Sequence, residues 1–254
     1  MSARRQIGRM DDLARQDSPI HRRHPLAKLA VTAVYLALLA SCGQRALGAA
    51  VLLAVYPAAL FLLSGLSLRE AAVRLRVILP LVLLFGAANL FFDRTPVAQL
   101  GAVTLTGGML SALVLFVRGI CAVFACYTFV ATTGIDGLCA ALRMLHVPAI
   151  LVTEIGLIYR YIAELLHEAE HTVQAYALRA PGQKGVAFRA WGSLAGQLLL
   201  RAVARAQTLY DAMRLRGFAG EMPYDCAPFG AADAGYLAAW SALLTLLRWM
   251  GGIG

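Results

Sequence analysis

Long apolar stretches separated by short polar or basic connections dominate the first half of the chain. Residues 26–41 (LAKLAVTAVYLALLAS) and 47–63 (LGAAVLLAVYPAALFLL) read as a helical hairpin closed by the short CGQR turn. A third run covers 77–92 (VILPLVLLFGAANLFF) and a fourth 108–131, with the weakly polar DRTPVAQLGAVTLTG between them. The last run, 235–250 (GYLAAWSALLTLLRWM), is edged by Tyr236, Trp240 and Trp249, as suits a helix whose ends meet membrane interfaces. Stretches of this length with few charges are what a bilayer-spanning helix requires. The pattern predicts an all-α integral membrane protein with about five transmembrane helices, in which Pro57 and Pro80 act as kinks.

Between the fourth and fifth runs the periodicity changes. Pro148 opens PAILVTEIGLIYRYIAELLHEAEHTVQAYALRA, where Glu154, Arg160, Glu164, His167, Glu168 and Glu170 interrupt a broad apolar face. PGQKG stops this helix with one proline and two glycines. A second helix starts near 188 (FRAWGSLAGQLLLRAVARAQTLYDAMRLRG), carries Arg201 and Arg205 on one face, and ends at Gly217, a suitable left-handed cap. Such helices are too polar to span a bilayer and too apolar to stand free in water, so they are expected to lie along the membrane's inner surface or against a partner. Four regions follow: an N-terminal segment (1–25), a four-helix membrane block (26–131), a coupling-helix region (132–232) and a C-terminal membrane helix (233–254).

Composition agrees with this reading: 60% of residues are hydrophobic, 15% are charged, and the mean hydropathy is +0.68. The net charge of +9 is carried by arginine, since Lys28 and Lys184 are the only lysines. The arginines flank apolar runs instead of clustering with aromatics on a polar face, which suits membrane topology and anionic headgroups and argues against nucleic acid. Arg15, Arg22, Arg23 and Lys28 precede the first run and Arg69, Arg74 and Arg76 follow the second, whereas the other two connections hold only Arg45 and Arg94. The positive-inside rule therefore places the N-terminus and residues 132–232 in the cytoplasm and the C-terminus outside. No secretory signal is recognisable in the first 25 residues, so the N-terminus is expected to be retained. Cysteines 42, 121, 126, 139 and 226 form no CxxC pair and point to neither a disulfide framework nor a zinc site.

The two long helices end alike. Ala175-Tyr-Ala-Leu-Arg179-Ala and Ala212-Met-Arg-Leu-Arg216-Gly share the pattern A-x-x-L-R-[A/G], each followed by helix breakers. One such arginine is explained by the helix macrodipole alone, at about 0.3–1 kcal/mol. Two copies, each with a small residue after the arginine, point to recognition: the small neighbour admits another surface close enough for the planar guanidinium to pair with a carboxylate.

On these residues the chain resembles the transmembrane T component (EcfT/CbiQ) of energy-coupling factor (ECF) transporters, the membrane coupling subunit of a class of ATP-binding-cassette importers for vitamins and metal ions. The likeness covers DSPIHRRHPLAKL, the four-run block, HVPAILVTEIGLIYRYIAELLHEAE and both helix ends, and RLRGFAGEMP is most similar to the cobalt-type CbiQ members. The resemblance implies two ABC ATPase subunits, or a homodimer, whose grooves receive Arg179, with Leu178 and Ala180, and Arg216, with Leu215 and Gly217. It also implies a substrate-binding membrane protein (an S component, CbiM-like), an optional small accessory membrane subunit, and a multi-pass place in a bacterial cytoplasmic membrane. The implied cargo is Co2+, with nickel or biotin as alternatives. Leu178 and Ala180-Pro181 depart from the commoner alanine-arginine-glycine or -serine form.

Other residues carry weaker signals. Arg118, inside LSALVLFVRGICAVFACY, is either an inward charge bonded to carbonyls or to a neighbouring helix, with a grip on the substrate-binding protein as one use, or a side chain that snorkels to an interface. His167 and His171 have one-face spacing, but among glutamates they read as solvated helix surface, and no metal ligand or cofactor is assigned. Asp11-Asp12 lacks the second acidic cluster that a magnesium-dependent prenyl chemistry needs. Neither a Walker A sequence nor a nucleophile elbow is present, so ATP hydrolysis falls to another chain. An intramembrane enzyme acting on a lipid-linked substrate is the rival class, and it lacks clustered carboxylates or a nucleophile with a base.

Overall fold

The computed structural model describes residues 23–43, 46–65, 96–100, 103–180, 185–222 and 228–251, with a few isolated positions elsewhere. In chain order these form α1 (Pro25–Ala40), α2 (Leu47–Leu53), α3 (Val55–Ser64), β1 (Pro96–Leu100), β2 (Val103–Thr106), α4 (Gly107–Met144), α5 (Ala149–Arg179), α6 (Phe188–Leu215) and α7 (Ala231–Gly251). The protein is an all-α membrane protein, with one small hairpin among the described residues. Among the described residues, Leu47–Ser64 and Gly107–Met144 are long and apolar enough to cross a bilayer, and Pro25–Ala40 is a shorter apolar helix. The third run, 77–92, falls almost wholly outside the described residues, as do Asp11, Asp12, Arg15, Arg22, Arg45, Arg69, Arg74, Arg94, Pro181, Lys184 and Cys226.

The hairpin corrects the reading of DRTPVAQLGAVTLTG as a plain connection. β1 and β2 pair antiparallel, Leu100 opposite Val103 and Pro96 opposite Thr106, with an irregularity between Pro96 and Ala98. Val97, Val103, Thr104 and Thr106 supply the β-branched residues that favour pleated backbone, and Pro96, which cannot donate to a ladder, stands at the strand's first position.

Contacts divide the described residues into two units, one running to Gly134 and including the C-terminal helix α7, the other beginning at Ile135 and including α5 and α6. The first unit packs α1, α2, α3, the early part of α4, and α7. Its core centres on Tyr35, Tyr56, Leu53, Val31 and Leu244, all almost completely buried. Tyr35 and Tyr56 lie 4.6 Å apart between ring centroids, and Trp240 meets Tyr56 edge-on at 5.0 Å. Close approach at one end depends on small residues: a Cβ on Gly251 would lie 2.5 Å from the Ala49 Cα. The second apolar run is broken at Ala54, because Pro57 has no N–H to offer and its ring would press on the Leu53 carbonyl.

The helix of the fourth run, expected to end near 131, reaches almost to residue 134. It breaks at Gly134, whose φ of 64° and ψ of 177° belong to a region open essentially to glycine alone, and a second helical segment runs from there to Met144. Beside the break the buried Lys28 donates its Nζ to the Thr132 carbonyl at 2.9 Å. His24 caps α1, its Nδ1 accepting from the Leu26 N–H at 3.1 Å, while its own backbone N–H donates to Asp233 in the first turn of α7.

In the second unit α4 ends with His146 in the left-handed region at φ 61°, where His146 N–H bonds to the Arg143 carbonyl and Val147 N–H to that of Leu142. Pro148 stands one residue before the helical turn it was expected to open, as the N-cap of α5. α5 and α6 then run antiparallel, registered by ion pairs from Glu164 to Arg205 (2.8 Å) and from Glu168 to Arg201. Four-residue spacing on both helices is what brings the two pairs level. Tyr224 lies against α5 at Gly156, where an added Cβ would meet its hydroxyl at 1.9 Å, and burial pushes that hydroxyl's pKa up to about 12.

Candidate partner-docking site

The two arginine-bearing helix ends are built differently although their sequences rhyme. α6 closes with a Schellman arrangement: Phe218 N–H bonds to the Met213 carbonyl and Gly217 N–H to that of Arg214, each at 3.0 Å, with Gly217 at φ 83°. Arg216 is the C-cap, one residue past the last helical position, and Leu215 beside it is 90% exposed. Arg214 sits over the Tyr210 ring at 5.8 Å, so it is occupied on the helix surface.

α5 closes on Arg179 itself, followed by Ala180 at φ −129° and ψ 65°. Ala180 precedes a proline, which disfavours helical backbone, so the chain leaves the helix without a left-handed cap. Its N–H still bonds to the Tyr176 carbonyl, and the turn is tied by Gln183 N–H to the Ala180 carbonyl and by the Tyr176 hydroxyl to the Gln183 side chain at 2.6 Å. Leu178 is 84% exposed. The flank that departs from the commoner pattern thus has its own local scaffold.

Both arginines are exposed, and among the described residues neither guanidinium has a hydrogen-bond or ion-pair partner. The neighbouring Arg143, Arg201 and Arg205 are by contrast all paired, with Glu221, Glu168 and Glu164. Each free guanidinium has an exposed leucine next to it, whose full burial against a partner contributes about 1.5–3 kcal/mol. A charged fork beside an apolar knob fits a groove with a carboxylate and an apolar wall. The sequence named Leu178 and Leu215 only as flanks; their degree of exposure became visible once α5 and α6 were seen to pack through other faces.

The two ends are far apart. α5 delivers Arg179 to the turn from which α6 departs, and Arg216 lies at the opposite end of the 28-residue α6, about 40 Å away at 1.5 Å per residue.

Arg118 occupies a separate position in the membrane unit. Its Nη1 donates to the Cys42 carbonyl at 2.9 Å and its Nη2 to that of Ala40 at 2.8 Å, while Arg248 from α7 reaches the Ser41 carbonyl at 3.2 Å. Ser41 N–H covers Ala37, Cys42 N–H covers Leu39, and the Cys42 thiol covers Leu38. Every carbonyl from 37 to 42, the end of α1, therefore has a donor. Arg118 has an internal task as a helix cap.

A family profile described as CbiQ, cobalt transport protein, matches residues 16–224, a span that contains Arg118, Arg179 and Arg216. The nickel permease LarQ of Lactiplantibacillus plantarum is 34% identical over 89 residues, which cover 35% of this chain. That match spans 33% of the relative's own length.

Proposed function

Since the chain belongs to the CbiQ cobalt transport protein family, we propose that it is the membrane coupling subunit of an energy-coupling factor importer for a divalent transition-metal ion. In this role it transmits the motion of two ABC ATPase subunits to a substrate-binding membrane protein and carries out no covalent chemistry itself. Two exposed, unpartnered arginines, each beside an exposed leucine, one closing α5 and the other closing α6, carry the reading. A separation of about 40 Å suits docking into grooves on two ATPase subunits better than into one. When the ATPases close on ATP, the grooves move relative to each other and load the α5–α6 pair from both ends. The register ladder of Glu164–Arg205 and Glu168–Arg201 lets the pair carry that load as a unit.

The exposed apolar positions Ile150, Ile158, Leu199, Leu200 and Trp191 support a resting place for these helices on the cytoplasmic membrane face or against the partners. The family's description supports Co2+ as the cargo, and the name of the LarQ relative supports nickel as the alternative. Co-purification with the ATPase subunits and ATP-dependent uptake of Co2+ and Ni2+, measured for Arg179→Ala, Arg216→Ala and the double variant, test the reading. Weakened assembly in each single variant and loss of uptake in the double are expected, since a bond to a charged group contributes about 1.5–3 kcal/mol. Full assembly and uptake in the double variant would overturn the docking assignment.

A further inference from the structure

Of the five histidines, three have local tasks. His21 bonds to Ser18 through Nδ1, His24 caps α1, and His146 terminates α4 in a left-handed conformation. His167 and His171 are different. They stand four residues apart on α5, and their Nε2 atoms converge to 3.1 Å, with ring centroids 4.3 Å apart and planes at 74°. From the sequence they read as solvated helix surface; the convergence of the two nitrogens is what alters that.

We propose that His167 and His171 form a solvent-facing two-imidazole chelate for a first-row divalent transition ion. In the absence of an ion the two Nε2 atoms share a hydrogen bond, one ring carrying its proton there; with both protons on Nδ1, both Nε2 lone pairs are free to take one cation instead. At zinc- or nickel-like metal–nitrogen distances of about 2.0–2.1 Å, that separation subtends an angle of about 100° at the ion, between the octahedral and tetrahedral values. The helix already holds the two donors at chelating distance, so binding requires little further ordering.

Imidazole donors select Ni2+, Co2+, Cu2+ and Zn2+ over Mg2+ and Ca2+, which take oxygen ligands. Among the described residues no group of three or more histidine, cysteine or acidic side chains is arranged to hold a metal ion. Glu164 and Glu168 are committed to Arg205 and Arg201. Water therefore completes the coordination shell, and the site is an exchangeable one. Its occupation clamps one turn of α5 between Glu164 and Arg179.

The readout is binding alone, so it stands or falls separately from the coupling role. Full-length protein purified in detergent with a tag free of histidine is titrated with Ni2+ and with Co2+, the latter followed also by its visible absorption. One ion per chain is expected, undiminished by excess Mg2+. His167→Gln and His171→Gln are each expected to weaken binding by at least about tenfold, whereas His146→Gln leaves it unchanged. Both substituted positions lie on the helix surface, and circular dichroism of the variants confirms that the fold is retained. Absence of saturable binding, or affinity that survives in either variant, would overturn the proposal.

Discussion

Replacing Arg118 with leucine removes two hydrogen bonds at once, to the carbonyls of Ala40 and Cys42 at 2.8 and 2.9 Å. These oxygens belong to the last turn of α1 and its exit, where no intrahelical N–H is available to replace the guanidinium. Hydrogen bonds within membrane proteins average about 0.6 kcal/mol and reach about 1.7. Bonds from a charged donor contribute about 1.5–3 kcal/mol. Against these stands the gain from no longer holding a charge in an apolar run, which is small where the side chain reaches a helix end instead of the bilayer centre. The balance for two bonds is a loss of about 2–4 kcal/mol, or a drop of roughly 5–12 °C in unfolding temperature for a chain of this size. Intrinsic tryptophan fluorescence during heating of detergent-solubilised protein measures it. Arg118→Lys, with a point charge able to serve one carbonyl well, is expected to fall between wild type and leucine. A leucine variant that melts within about 1 °C of wild type would show that the α1 end does not depend on this cap.

Three further outcomes separate the structural residues from the docking ones. Gly251→Val forces α7 away from Ala49 and is expected to cost about 1–3 kcal/mol in the same melting assay, whereas Gly235→Ala on the same helix, where an added Cβ meets nothing within 4 Å, leaves stability nearly unchanged. Gly156→Ala drives a methyl into the Tyr224 hydroxyl and is expected to destabilise by about 1–2 kcal/mol; in a Tyr224→Ala background that penalty disappears, and equal penalties in both backgrounds would contradict the contact. The Arg179→Ala, Arg216→Ala double variant is expected to melt with wild-type behaviour while losing the ATPases on a pull-down column. A large drop in its melting temperature would instead assign the two arginines to the fold.

The helices were legible because their causes are local. Apolar runs dictate α1 and most of α4, and the apolar stripes of α5 and α6, with Gly217 as a left-handed stop, fix where those helices run and where α6 ends. The hairpin at 96–106 escaped because two short strands of valine, threonine and leucine have no period that distinguishes them from a connection between apolar runs. The helical segment from Gly134 to Met144 escaped because a single glycine does not announce whether helix resumes beyond it.

Within the candidate site, the sequence by itself determined that Arg179 and Arg216 close two long helices, since the repeated leucine-arginine ending and its breakers are contiguous in the chain. Only the tertiary structure decided which of the other arginines are paired. Arg201, Arg205 and Arg143 looked as available as the other two until antiparallel packing brought Glu168 and Glu164 level with the first pair and Glu221 folded back onto the third. Arg118 was ambiguous for the same reason: its partners, the carbonyls of Ala40 and Cys42, lie more than 70 positions away in the chain. A charge's sequence context states what it costs to bury; whether anything meets it depends on which distant backbone the fold delivers.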